Sequence, residues 1–273
     1  MEKTNRRNIL KTGVAVAAGA MVSSPMVYAV MPSEIKPKAA GETRVVYLGG
    51  DQLHDGVQQE STMRDMCNRF GWKCISTVDA RFVTPELLKD TDLLIVTRWV
   101  GGVAGWRPGP LNEEGAPNDG YMSDELEEAM IDNVKNRGMG FMSLHCTIAS
   151  MGKPKFLSLL GITPMMHGPV QTVKCHNFNQ NHPISKGIPD FDLPLDENFG
   201  VELADPKAIC LYESTGRTDH RHDVAGWCLE NGNGRVVGLA AGHLYTPWRH
   251  VHYQKLFFRG AHWAMKKDIP NTI

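Results

Sequence analysis

The sequence predicts an α/β fold: an open, mostly parallel sheet flanked by helices, in a single domain. Two observations predict it. Short apolar segments alternate with helical patterns from about residue 44 to residue 144, the order of strand–helix–strand units whose crossovers let strands lie parallel. Those segments are also apolar throughout rather than at every second residue, as strands covered on both faces are.

Taken in order, Arg44-Val45-Val46-Tyr47-Leu48 reads as a buried strand closed by Gly49-Gly50. Ser61 to Phe70 has helical spacing through Met63, Met66 and Phe70, and Lys73 to Val78 reads as the next strand. Thr84-Pro85-Glu86 opens a helix with a capping hydroxyl and a proline at the first position. Asp92-Leu93-Leu94-Ile95-Val96 is a third strand, and Gly101 to Gly120, rich in Gly, Pro and Asn, a long loop. Ser123 caps a helix loaded with Asp124, Glu125, Glu127 and Glu128, which runs to about Arg137 and stops at Gly138. Gly140 to Leu144 is a fourth strand running into His145-Cys146. Shorter strands are expected around 170–175, 199–203, 208–212, 224–229 and 235–240. The last helix, Tyr253 to Lys266, has an apolar stripe through Leu256, Phe257, Ala261 and Ala264.

Composition sets the class. The 273 residues carry 29 Lys+Arg against 30 Asp+Glu, a net charge of −1, with 42% hydrophobic residues. That is globular, and it lacks the basic excess of a nucleic-acid binder. Residues 1–29 read as a Tat-type signal peptide: Arg6-Arg7, an uncharged stretch from Thr12 to Val22 too short to span a bilayer, and Val27-Tyr28-Ala29 at the cleavage site. Its removal takes away Glu2, Lys3, Arg6, Arg7 and Lys11, a net +3, and leaves −4. The expectation is a periplasmic or extracellular protein with the Tat export machinery as a partner and no stable membrane insertion. Residues 30–42 read as a linker and 43–268 as the domain. The six cysteines form no C-x-x-C pair, and each reads as a small buried apolar residue.

In open α/β sheets ligands bind beyond the carboxyl ends of the strands. Asp51, His54 and Asp55 follow the first strand, Trp99 the third, His145 and Cys146 the fourth, and His243 and Tyr245 the last. Imidazoles with a carboxylate can hold a divalent metal such as zinc or manganese, move protons near neutral pH, or bind a sugar beside aromatic rings. No H-E-x-x-H, G-x-S-x-G, P-loop or G-x-G-x-x-G occurs. Cys146 stands where a nucleophile elbow would lie, but between His145 and Thr147 rather than small residues.

With these residues in view, the chain resembles the ThuA-like family of trehalose-utilisation proteins. The resemblance is carried by Gly49-Gly50-Asp51-Gln52-Leu53-His54-Asp55, by Gly138 to Cys146, by His182-Pro183-Ile184 with Gly187-Ile188-Pro189, and by Asp196-Glu197-Asn198-Phe199. Gly234-Arg235-Val236-Val237, Ala241-Gly242-His243 and Gly260-Ala261-His262-Trp263-Ala264 complete it, over roughly residues 43–266. It implies a class I glutamine amidotransferase-like, flavodoxin-like sheet that has lost the amidotransferase nucleophile. It also implies a crevice faced by His54, His145, Glu197 and His243. Cys146 replaces the family's usual Ser or Ala. His182 is either part of the site or a turn-stabilising residue, and Glu197 either a site acid or a solvated strand-edge charge. His250 and His252 either rim the crevice or sit at a helix start, while His220-Arg221-His222 is expected in a solvent-facing loop.

Three functions follow. The first is an exported enzyme of carbohydrate metabolism acting on a sugar or keto-sugar. His145, His243 and Glu197 would be catalytic or would ligate a divalent metal, and His54, Asp51, Asp55, Trp99 and Tyr245 would bind the small-molecule carbohydrate substrate. The second is a non-catalytic periplasmic carbohydrate-binding protein stacking sugars on Trp99, Trp106, Tyr245 and Trp248. The third is a thiol amidohydrolase using Cys146.

Overall fold

The computed structural model describes residues 35–51, 54, 56–99, 122–150 and 152–271. The expected signal peptide, the Gly101–Gly120 loop with Trp106, and Asp55 lie outside the described residues.

β1 (Arg44–Gly49) is buried at every position, because Val45, Val46, Tyr47 and Leu48 offer bulk to both faces. α1 (Gly56–Phe70) covers one face through Gln59, Thr62, Met63, Met66 and Cys67, a stripe at three- and four-residue spacing. It starts before the expected Ser61; its first turn is polar apart from Val57 and carries no apolar periodicity. β2 (Lys73–Thr77) lies parallel to β1. α2 (Pro85–Lys89) begins as read, the Thr84 hydroxyl accepting from the Leu87 amide. β3 (Leu93–Thr97) is again buried throughout. α3 (Asp124–Asp132) has its Ser123 cap accepting from the Leu126 amide. It widens into a π-type turn and ends at Gly138, whose φ of 91° is left-handed. β4 (Gly140–Leu144) follows, sealed on both faces.

The second half continues with α4 (Pro154–Leu160), β5 (Ile162–Pro164), β6 (Val170–His176) and β7 (Phe191–Glu197). β8 (Val201–Leu203), β9 (Ile209–Gly216), β10 (His222–Asn231), β11 (Gly234–Leu239), α5 (Tyr245–Arg249) and α6 (Val251–Ala264) complete it. α4, β5, β7 and α5 lie where the sequence pattern predicts no element.

The sheet order is β2-β1-β3-β4-β11-β10-β9-β6-β7, with β8 beside β10 and β5 beside β8. The first five strands are parallel; the steps from β11 through β10, β9 and β6 to β7 are antiparallel. Four antiparallel steps restore direction, so β7 runs the same way as β11 and delivers Glu197 to the edge where β1, β3, β4 and β11 end. A flat sheet would leave β7 four strands, roughly 19 Å, from β11. Instead the Asp196 carboxylate of β7 accepts from the Gly242 and His243 amides at 2.9 and 2.8 Å. The antiparallel half therefore curls back over the strand ends. Register shifts in β10 beside Gly226 and in β6 between Gln171 and Val173 are the irregularities that bend such ribbons.

Within 35–42, Lys38 is 2.6 Å from the Asp92 carboxylate, which pins that stretch beside β3. Among the described residues no helix is long and apolar enough to cross a membrane.

Candidate functional site

Four strand ends meet. His54 follows β1, His145 follows β4, Glu197 ends β7 and His243 follows β11. The imidazole centroids of His54 and His145 are 5.0 Å apart, those of His54 and His243 5.1 Å, and those of His145 and His243 5.3 Å. Glu197 Oε2 lies 3.6 Å from His145 Nε2 and 3.3 Å from His243 Nδ1.

Each group is held from behind. His145 has a φ of 46°, a left-handed conformation that a non-glycine residue keeps only where its surroundings enforce it. Its Nδ1 is 2.9 Å from the Ala240 carbonyl. A carbonyl only accepts, so Nδ1 carries the proton and the bare lone pair is on Nε2. His54 pairs backbone to backbone with Asp51, and its Nδ1 is 2.6 Å from Asp51 Oδ1. The carboxylate accepts there, which again frees Nε2. His243 is set by its amide on Asp196. The chain reaches it through Gly242, at φ 137°, where a Cβ would sit 3.3 Å from that of His145. Burial grades across the site: the His145 side chain is sealed at 0%, Glu197 is 12% exposed and His243 18%.

Burial, reinforced by the neighbouring His54, holds His145 well below the ordinary imidazole range, so it is neutral at neutral pH. His243 is lowered by burial, against the opposing pull of the Glu197 carboxylate. Burial pushes the Asp196 carboxyl up to about 7, opposed by the amides of Gly242, His243, Glu197 and Leu244 that point at it.

The remaining expected residues fall as follows. Asp51 stands behind His54, its Oδ2 accepting from the Trp99 amide at 3.1 Å. The Trp99 indole N–H donates to the Ala149 carbonyl. Tyr245 is 55% exposed at the start of α5, two residues beyond His243. Trp248 is 1% exposed and donates to the Gly242 carbonyl, so it is packing beneath the loop and offers no stacking face. At the turn after β4, the strained position belongs to His145 and not to Cys146. Cys146 is buried, and its thiol donates to the Thr97 carbonyl at 3.4 Å. Burial and the adjacent Asp51 push that thiol well above the ordinary range, which opposes a nucleophilic thiolate.

His182 is a turn residue: Nδ1 accepts from the Ile184 amide, and Nε2 faces Cys228 Sγ at 3.4 Å. His250 stacks on Phe191 at 4.3 Å. Phe191 begins β7, roughly 20 Å along the strand from Glu197, so His250 belongs to the start of α6 and not to the rim. His222 is half exposed and faces Glu213 at 3.1 Å.

His167, not expected from the sequence, also faces the site. Its Nδ1 is 3.4 Å from Glu197 Oε1, and its ring lies 4.6 Å from that of Phe199, which in turn meets His145 edge-on. It sits between β5 and β6, and with β5 unforeseen nothing in the sequence marked that loop as part of the strand-end edge.

The comparisons accord with this architecture. The family model for ThuA, described as trehalose utilisation, matches residues 44–264. No curated protein sequence matches the chain. A ThuA-like protein from Bacteroides uniformis is similar in structure with a TM-score of 0.63 at 15% identity, covering 85% of this chain and 96% of that one. A ThuA-like protein from Parabacteroides merdae has the same TM-score and identity, covering 84% and 94%. A β-galactosidase from Rahnella sp. R3 contains a similar fold, with a TM-score of 0.54 and 13% identity over 83% of this chain and 32% of that one. At such identities the structural likenesses establish the fold alone. The family match spans nearly all of the described sheet and ties the chain to carbohydrate metabolism: it belongs to the ThuA family of trehalose-utilisation proteins.

Proposed function

We propose that the protein is an enzyme, acting after export, that moves protons on a sugar or keto-sugar at the His54–His145–Glu197–His243 crevice. The observation that carries this reading is the placement of Glu197, whose carboxylate lies within 3.6 Å of nitrogens from His145, His243 and His167 at once. A carboxylate so placed can take the proton from carbon beside a sugar carbonyl and return it to the former carbonyl carbon of the resulting enediol, while the hydroxyl proton moves to the other oxygen. That sequence isomerises a keto-sugar. If the adjacent position bears a glycosidic oxygen, the same carbanion expels it: a carbon–carbon double bond forms as the C–O bond breaks, and the departing oxygen takes the proton held by Glu197.

Of the rings the binding-protein reading calls on, Trp248 is sealed and carries no stacking, while Tyr245 is 55% exposed beyond His243. The thiol reading is opposed by the buried, protonated Cys146.

The test is proton–deuterium exchange at the carbon beside the carbonyl of keto-hexoses and keto-disaccharides in heavy water, followed by NMR. Glu197→Gln is expected to slow exchange at least ~100-fold, the usual worth of a positioned base, with the fold intact by circular dichroism. Exchange unchanged in Glu197→Gln, or absent from the wild type with keto-sugars of every ring size tried, would refute the reading.

A further inference from the structure

We propose that His54, His145 and His243 form a tris-imidazole site for a divalent transition ion of the zinc class, with Glu197 beside it rather than within the ligand set. The inference rests on the proton-transfer reading for its chemistry, though not for the binding itself.

The geometry supports it in three ways. One donor atom from each of the three histidines lies within 4.8 Å of the other two. Two of the rings are tied by Nδ1, His145 to the Ala240 carbonyl and His54 to Asp51. That outer support fixes the tautomer and aims Nε2 inward, as it does for metal-ligating histidines. Lastly, His145 Nε2 is fully buried with no hydrogen-bond partner, and a buried acceptor without a partner is costly. A bound cation turns that lone pair into a ligand.

Three imidazole ligands select for zinc and its neighbours over magnesium or calcium, which take oxygen. Bonds of ~2.0–2.1 Å to a tetrahedral ion place ligand nitrogens roughly 3.3 Å apart. The rings must therefore close by up to about 1.5 Å, and His243, the most exposed of them, has the room to move. Three protein ligands leave a fourth position for water or a sugar oxygen, with Glu197 poised beside it as base. The other candidate set, Asp51, His54 and Cys146, shares His54 but depends on a thiol that is already hydrogen-bonded to the Thr97 carbonyl.

The test uses the full chain, stripped with chelator and titrated with zinc chloride and, separately, with cobalt(II). Expected are one ion per chain, a rise in the unfolding midpoint with zinc, and the intense visible bands of four-coordinate cobalt. His145→Ala and His54→Ala are expected to weaken binding by more than 10-fold and to abolish the cobalt bands. If either variant does not fold, His243→Gln carries the same expectation at a more exposed position. Binding that survives all three substitutions overturns the proposal, as does binding lost in His176→Ala or His222→Ala, which alter a surface imidazole pair. Absence of stoichiometric binding also overturns it; if the stripped protein still exchanges keto-sugar protons, the proton-transfer reading stands without the metal. Tight binding lost in the histidine variants, with exchange unaffected by Glu197→Gln, supports the metal site and refutes the proton-transfer reading instead.

Discussion

At Asp196 the carboxylate turns inward to the amides of Gly242 and His243, while the next residue, Glu197, turns toward the imidazoles. The alternation of a strand sends the two acids to opposite sides, one positioning a loop and the other facing the crevice. His54, His145 and His243 were legible because each follows an apolar strand, whereas His167 follows the short β5, which no pattern announced. Asp196 stood in the same motif, but the identity of its partners depends on a fold-back that no local pattern encodes. Burial at this scale also sets a pH dependence. Burial lowers His145, His182, His243, His250 and His262 alike. Below about 6.5 the unfolded chain takes up protons that the folded chain refuses, so folding stability falls as pH drops through that window. Asp196 has the opposite sign: its carboxyl, raised from 3.8 to about 7, keeps its proton in the folded state while the unfolded chain has lost it, and this contribution is lost as pH rises through that range. In chelator-treated protein, His145→Gln is expected to reduce the drop in stability between about pH 7.5 and about pH 5, measured by urea unfolding. An acid limb as steep as that of the wild type would show that His145 is not held neutral.

At the scale of elements, the caps of α2 and α3 lie where the sequence indicates, while α1 starts five residues before the expected Ser61. Thr84 and Ser123 cap as their spacing indicated, and Gly138 terminates α3 in the left-handed conformation a glycine tolerates. β7 was missed because Pro194 interrupts it and charged residues alternate through it. A proline is admissible there because β7 is the last strand in the sheet order. Gly138→Ala is expected to cost more than about 1 kcal/mol, since its φ is 91° and a Cβ would meet the Asn233 carbonyl at 2.9 Å. Ser123→Ala, which removes only the cap, is expected to cost about 1 kcal/mol. Denaturant midpoints compare the two, and a neutral Gly138→Ala would mean that the turn relaxes.

For the whole molecule, the parallel half could be read from apolar strands and helices in alternation. The curl of the antiparallel half could not, because it arises from register shifts around Gly226 and Gln171 that leave no periodic trace. Yet that curl brings Glu197, from the far end of the sheet, onto histidines that follow β1, β4 and β11. Their meeting is tested most directly by histidine-ring NMR titration of chelator-treated protein, comparing the wild type with Glu197→Gln. Loss of the carboxylate is expected to lower the His243 midpoint, because Glu197 raises it in the intact site, while His182, lowered by burial in its own turn, keeps its own. A His243 midpoint that does not move would contradict the convergence of these strand ends.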